Sequence, residues 1–428
     1  MNKNIKLAIY VFSMLLIFSC HNSKKDTNEK TVKEEHNVNA KDILGNPEYL
    51  AISYGGYRQK KREVQPTLTE LKEDMKILSA MGVKILRTYN VHFDQAANLL
   101  KAIDELKQDD SSFEMYVMLG IWIDCKNAFN WEATQDHNKE SERNPVEVNT
   151  AVELAKQYPD IVKILAVGNE AMVKWATSYY VEPWIILKWV NHLQDLKKQG
   201  DLPADLWITS SDDYSSWGGG DTVYHTEDLK KLANAVDYIS MHTYAYHNSH
   251  YNPAFWKVPD NENKLSDKEK IDAAMLRALN FAKMQYEGVV SYMDSIGIDK
   301  PIHIGETGWA SISDGHYGKN GSRATDEYKQ GLYYKHIREW TNKENISCFY
   351  FEAFDEQWKD AENEMGSENH FGLINLKSEA KYPLWSLVDD DIFEALTRDG
   401  KPITKSYNGN LEELMKDVLV PNTDYPRD

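Results

Sequence analysis

Cysteine is scarce in this chain, with only Cys20, Cys125 and Cys348 among 428 residues. Three scattered thiols exclude a disulfide framework and the paired ligands of a structural zinc site. Basic charge is also short. Lys and Arg number 49 against 67 Asp and Glu, a formal net charge of −18, and no basic cluster follows the N-terminal region. The electrostatic footprint of a nucleic-acid binder is therefore missing, and a neutral partner fits better. No internal repeat is visible, and the apolar run from Leu7 to Phe18 is too short to span a bilayer. What is present in quantity is aromatic: 12 Trp and 25 Tyr in a chain that is 42% hydrophobic. That supply builds a sizeable core and leaves rings for a binding cleft.

Residues 1–20 carry Lys3 and Lys6, then the Leu7–Phe18 run, then Ser19 and Cys20, the layout of a cleaved secretory signal. The ending Ile17-Phe18-Ser19-Cys20 resembles a bacterial lipobox, in which Cys20 becomes the lipidated first residue. The expected location is thus outside the cytoplasm, anchored to a bacterial membrane at the cell surface or periplasmic face. Residues 21–46, beginning HNSKKDTNEK, have almost no large apolar side chains and read as a disordered tether. Residues 47–428 read as one catalytic-size domain with a C-terminal extension, expected to act as a monomer.

Within that domain short β-rich runs alternate with amphipathic stretches, the pattern of βα units around a parallel sheet. Eight strands are expected, near Leu50–Tyr54, Lys84–Tyr89, Met115–Ile121, Val162–Gly168, Leu206–Ser210, Tyr238–Tyr244, Ile302–Glu306 and Ser347–Phe354. Helices are expected near Leu68–Met81, Gln95–Leu106, Pro145–Gln157, Ile185–Lys198, Ile271–Ile296 and Asp326–Asn342. Eight strands with helices between them favour a single α/β (β/α)₈ barrel with elaborated loops over an open doubly wound sheet. The segments 124–144, 211–226 and 245–266 hold Trp131, Trp217, Tyr246, Tyr251 and Trp256 and are expected to wall the active face.

Two carboxyl groups stand at strand ends. Glu170 follows ILAVGN, and Glu306 closes the run PIHIG. Catalytic groups of this fold gather at the carboxyl-terminal rim, and glycoside hydrolysis needs one protonated and one ionised carboxyl there. A single strand-end Glu could equally be an ion-pair partner; two in amide- and aromatic-rich settings point to chemistry. His242 and His303 lack a second ligand at metal-site spacing, so no metal and no cofactor are expected.

The pieces VGNE and ETGWAS together closely resemble the paired signatures of glycoside hydrolase family 17. LAISYGGY, KILRTYN, DYISMHTYAY and CFYFEAFDEQWK fit that family in order, so the resemblance spans most of residues 50–375. It implies a (β/α)₈ retaining enzyme acting mainly on β-1,3-glucan, with Glu170 as acid/base and Glu306 as nucleophile. Arg87 or Tyr244 would favour the charged form of Glu306, and Asn169 would bond the sugar hydroxyl beside the reacting centre. Tyr54, Tyr89, Trp122, Tyr244, Trp309 and Trp358 follow strand ends and are expected to stack on sugar rings, with Tyr54, Tyr244 and Trp309 the strongest candidates, while Glu352 and Glu356 would position substrate or Glu306. Two departures are visible: Ala310 where the family often has Pro, and His242-Thr243-Tyr244-Ala245 where it commonly has Asn-x-Tyr-Pro. Both loosen the inference about which glucan fits. A glucanosyltransferase of the same family and a non-catalytic surface glycan-binding lipoprotein are the alternatives.

Overall fold

The computed structural model describes residues 38–427; the signal and lipidation assignments at 1–20, with Cys20, lie outside the described residues. Each expected strand run forms a strand. They are β1 (Leu50–Ser53), β2 (Val83–Arg87), β3 (Tyr116–Ile121), β6 (Val162–Asn169), β7 (Trp207–Asp213), β8 (Ile239–His242), β9 (Ile302–Gly308) and β10 (Cys348–Phe351). A short hairpin, β4 (Cys125–Lys126) and β5 (Asp136–Glu140), interrupts the series after β3. The eight long-range strands close a parallel barrel in the order β1-β10-β9-β8-β7-β6-β3-β2. Strands β3 and β9 are buried at every position, as a parallel sheet covered on both faces requires.

The helices follow their local signals. Helix α2 (Leu68–Ala80) starts at Thr67, whose side chain and that of Glu70 form a capping box. α8 (Asp267–Ser295) starts with the equivalent pair Ser266 and Glu269. Each box satisfies amide groups that the first turn leaves free. α3 (Asp94–Asp109), α4 (Asn144–Gln157), α5 (Pro183–Gln199) and α9 (Glu327–Lys343) complete the expected set. α5 stops at Gly200, which takes the left-handed conformation at φ +82° that glycine tolerates best. Within the barrel, α6 (Glu227–Ala235) and α7 (Ala245–Tyr251) were not legible in the sequence, nor were α10 (Trp385–Asp389) and α11 (Leu411–Lys416) in the C-terminal extension. α7 lies inside a segment expected to be loop, and its turn of alternating Tyr and His residues carries no apolar stripe.

The expected boundary at residue 46 between tether and domain is corrected. A four-residue helix, α1 (Ala40–Ile43), buries Ala40, Ile43 and Leu44 against Ala51, Ile85, Met118, Ile164 and Phe349. These are interior residues of the barrel strands, so α1 closes the amino-terminal end, opposite the rim where Glu170 and Glu306 emerge. Residues 40–46 therefore belong to the fold, because three apolar side chains suffice to cover the exposed bottom layer.

The C-terminal extension is tied back to the barrel through Asp74 on α2. This fully buried carboxylate accepts bonds from Tyr54 Oη (3.0 Å), Arg58 Nη2 (2.8 Å) and Arg398 Nε (2.9 Å). Removing one member of such a buried ionic cluster strands the remaining charges. Asp74→Ala should lower unfolding free energy by about 3–5 kcal/mol, read by urea titration of tryptophan fluorescence.

Candidate active site

Side chains two apart on a strand share a face, so Arg87 points into the barrel like Ile85, but one layer nearer the rim. It is 1% exposed, and a guanidinium so placed needs partners. Nη1 donates to Glu306 Oε2 (2.5 Å) and to the Gly305 carbonyl (2.9 Å), and Nη2 donates to Asn169 Oδ1 (2.5 Å). Two phenols complete the shell of Glu306: Tyr89 Oη donates to Oε2 (2.9 Å) and Tyr244 Oη to Oε1 (2.6 Å). Because Arg87 holds the oxygen of the Asn169 amide, the nitrogen is the end of that side chain free to meet a ligand.

Glu170 follows the last residue of β6 with φ +45°, a left-handed conformation uncommon for a residue with a side chain. Its amide donates to the Ser211 carbonyl (2.9 Å), which fixes the turn. His242, fully buried at the end of β8, places Nδ1 3.1 Å from Glu170 Oε1 and Nε2 2.8 Å from Ser211 Oγ. Gly305 leaves room for this layer, since a Cβ there would collide with the Ser211 and Ser240 hydroxyls.

The two carboxyls differ in electrostatics. Burial, and then the negative charge of Glu306, push the Glu170 carboxyl well above the usual carboxylate range. Burial opposes ionisation of Glu306 as well, but its neighbours His242 and Arg87 and the two phenolic hydrogen bonds outweigh it and hold that carboxyl below the usual range. His242 is itself pushed down to about 4 by burial and is neutral near pH 7. The ionised state of Glu306 thus rests on Arg87, Tyr244 and Tyr89. One oxygen from each carboxyl and a nitrogen of His242 lie within 4.8 Å of one another. That spacing would also suit a cation, but the fixed positive charge of Arg87 on Glu306 opposes one there.

Glu306 sits where two cavities meet. One, of about 580 Å³, is lined by Tyr57, Tyr89, Trp122, Asn169, Tyr179 and Trp358. The other, of about 760 Å³, is lined by Glu170, Trp175, Tyr244, His247, Tyr251 and Tyr317. Glu306, Phe351 and Glu368 line both.

Against the expected site, Tyr89, Asn169, Tyr244, Glu356 and Trp358 line the cleft, and Arg87 acts from beneath it on Glu306. Several expectations are corrected. Trp309 is fully buried and its indole donates to the Ala324 carbonyl (2.8 Å), so it offers no face to a sugar. Tyr54 contributes to the cavity wall, but it is 1% exposed and its hydroxyl is spent on Asp74. Glu352 bonds Lys359 (2.5 Å), and that lysine is what reaches the wall. Glu356 accepts from the Tyr57 amide and the Trp358 indole, both at 2.9 Å, and so shapes the wall rather than touching Glu306. Trp217, Tyr246 and Trp256 are core residues, the two indoles satisfied by backbone carbonyls of Ser240 and Ser322. Tyr251 does reach the cleft, whereas Trp131 stands 84% exposed on the β4–β5 hairpin.

His242 was the legible omission, since it stands two residues before Tyr244 at a strand end. Arg62, Trp175 and Tyr179 come from loops, His247 from α7 and Glu368 from a short 3-10 turn (Ser367–His370), and none carried a sequence signal.

A parallel barrel whose rim holds one protonated and one ionised carboxyl between two sugar-sized clefts is the arrangement of a glycoside hydrolase. Residues 51–372 match the BtgE/BtgC glycoside hydrolase domain, and the chain belongs to that family. An endo-laminarinase from Formosa is 62% identical, with a TM-score of 0.89 over 91% of this chain and 100% of that one. A probable glucan endo-1,3-β-glucosidase of Aspergillus clavatus is 26% identical over 332 residues, 74% of this chain and 40% of that protein. The chain spans about two fifths of the length of such fungal relatives. A family 17 β-1,3-glucanosyltransferase from Rhizomucor miehei, 19% identical with a TM-score of 0.54 over 78% of this chain and 96% of that one, shares the fold.

The electrostatic asymmetry can be measured directly. In Glu306→Gln the Glu170 carboxyl should titrate at lower pH than in the parent, because the largest cause raising it after burial is gone. Carbon NMR of glutamate labelled at the carboxyl reads both values; an unmoved Glu170 would mean burial acts alone.

Proposed function

We propose that this protein is an endo-acting β-1,3-glucanase that works by double displacement, with Glu170 as acid/base and Glu306 as nucleophile. The observation that carries the reading is the carboxyl pair: oxygens within 4.8 Å, one carboxyl raised and the other lowered in pKa. Retaining enzymes hold the two groups about 5–5.5 Å apart, whereas inverting ones need about 6.5–9.5 Å to admit water between them.

In the first step the ionised Glu306 attacks the anomeric carbon and the protonated Glu170 gives its proton to the departing oxygen. Tyr244 and Tyr89 hold the attacking oxygens until the covalent bond forms. The nitrogen of Asn169 meets the hydroxyl beside the reacting carbon, where a bond strengthens as positive charge develops. Glu170, now a carboxylate, accepts a proton from water as the water oxygen bonds to the anomeric carbon and the ester bond to Glu306 breaks, which restores both groups. Because Glu170 serves the leaving group, the larger cavity is the leaving-group half and the one lined by Asn169 is the glycone half. A cleft continuing on both sides of Glu306 supports cleavage within a chain. The activities named for the Formosa and fungal relatives, endo-laminarinase and glucan endo-1,3-β-glucosidase, support the linkage.

The test is a chromatographic time course on linear β-1,3-glucan. The parent should release shortening oligosaccharides and Glu306→Gln none. Glu170→Ala should lose on the order of 10²–10⁴-fold in rate and, with azide added, give a β-configured glycosyl azide. An α-configured product would overturn double displacement, products longer than an oligosaccharide supplied would indicate transfer, and no turnover would remove the substrate assignment.

We further propose that the chain is held at a membrane by acylation of Cys20, from the lipobox-like Ile17-Phe18-Ser19-Cys20 and the polar run behind it. Cells fed labelled palmitate should label the parent protein and not Cys20→Ala. An unlabelled parent would leave a plain secretory signal.

A further inference from the structure

Arg62 and Trp122 line the glycone half of the cleft and also a third cavity, of about 440 Å³, on its outer side. Phe129 of the β4–β5 hairpin and Arg143 and Val146 at the start of α4 form its far walls. The volume lies within the range of small-ligand sites. It shares Arg62 and Trp122 with the wall of the catalytic cleft, so these two residues lie where a chain leaving the glycone half would reach it.

The walls are built to present flat faces. Phe129 has φ +58°, a conformation strained for a bulky residue by roughly 1–3 kcal/mol. It is 46% exposed, so core burial does not require this position. The strain holds the ring 5.3 Å from Tyr179, nearly parallel to it, and 6.4 Å from Trp122. The guanidinium of Arg62 is stacked over Trp358 at 4.4 Å and over Phe93 at 4.8 Å. Tyr179, Trp122 and Phe129 thus make an aromatic shelf running outward from the glycone half. The remaining wall carries two formal charges of each sign, Arg62 and Arg143 with Glu142 and Glu147, beside His92; Arg143 is bonded to Asp124 and Glu147 to the His92 ring. A wall with no excess of either charge around an aromatic shelf suits a neutral polyol rather than an anion or a cation.

We propose that this third cavity is a remote subsite for the non-reducing end of a gluco-oligosaccharide, with Phe129 and Trp122 as its stacking platforms. The proposal rests on the glucanase reading above, which sets the glycone side. Successive β-1,3 linkages curve the chain, and the path from the glycone half over Trp122 to Phe129 lets it turn outward from the barrel. The further glucosyl units then add binding energy distant from the reacting bond, which favours long chains over short ones.

The full-length protein is assayed on linear β-1,3-gluco-oligosaccharides of three to eight units, and kcat/KM is compared across lengths. In the parent it should rise with length. Phe129→Gly removes the ring and suits the left-handed backbone, and should cut the ratio of longest to shortest substrate by roughly tenfold, the size of a lost aromatic contact. Val146→Trp, at a 65% exposed position, fills the cavity while leaving Trp122, Phe129 and Tyr179 in the sequence, and should cut the same ratio. A parent with no length dependence, or both variants keeping the parent ratio, overturns the subsite while leaving the glucanase reading intact. A parent that cleaves none of the oligosaccharides overturns the reading on which the subsite rests.

Discussion

The guanidinium of Arg87 sits inside the barrel between β2, β6 and β9, and the geometry of the site depends on it. A fully buried cation is tolerable only with anionic and carbonyl partners, and here these are Glu306, the Gly305 carbonyl and the Asn169 amide. The same three bonds orient the nucleophile candidate and turn the Asn169 nitrogen toward the cleft. They also break the symmetry of two nearby carboxyls. Without a cation on one side, burial and mutual repulsion would raise both; with Arg87 against Glu306, the proton is left to Glu170.

Around this pair the barrel supplies neutral support. His242, kept uncharged by burial, bridges Glu170 to Ser211 without adding a charge that would compete with Arg87. Tyr89 and Tyr244 come from two different strand ends and reach the two oxygens of Glu306 separately. The clefts on either side are walled largely by rings from the segments that connect the strands, so the rigid strands carry the chemistry and the connections carry the fit.

The aromatic residues separate what was legible from what was not. Trp309 stands in the ETGWAS run beside Glu306 and shares its motif, yet its indole faces the Ala324 carbonyl in the core. Trp217 and Trp256 lie in long loop segments and are buried, whereas Trp175 and Tyr179 lie in an unremarked loop and line the cleft. A tryptophan fills core and cleft equally well, and local sequence holds no record of which neighbour will satisfy its N–H. The expected boundary at residue 46 failed for a similar reason. Ala40, Ile43 and Leu44 form too short an apolar set to signal a helix, and only the open bottom of the barrel gives them something to cover.

By itself the sequence determined the eight strands, the main helices and the two strand-end glutamates. All of these follow from local apolar periodicity and from the chain order of a βα repeat. The partners of those glutamates were decided by the tertiary structure. Barrel closure brings residue 87 against 306, 242 against 170, and loop residues 62, 129 and 179 into one wall. Such contacts join residues far apart in the chain, and their strength comes from excluding water around charges, a condition that exists only once the barrel has closed.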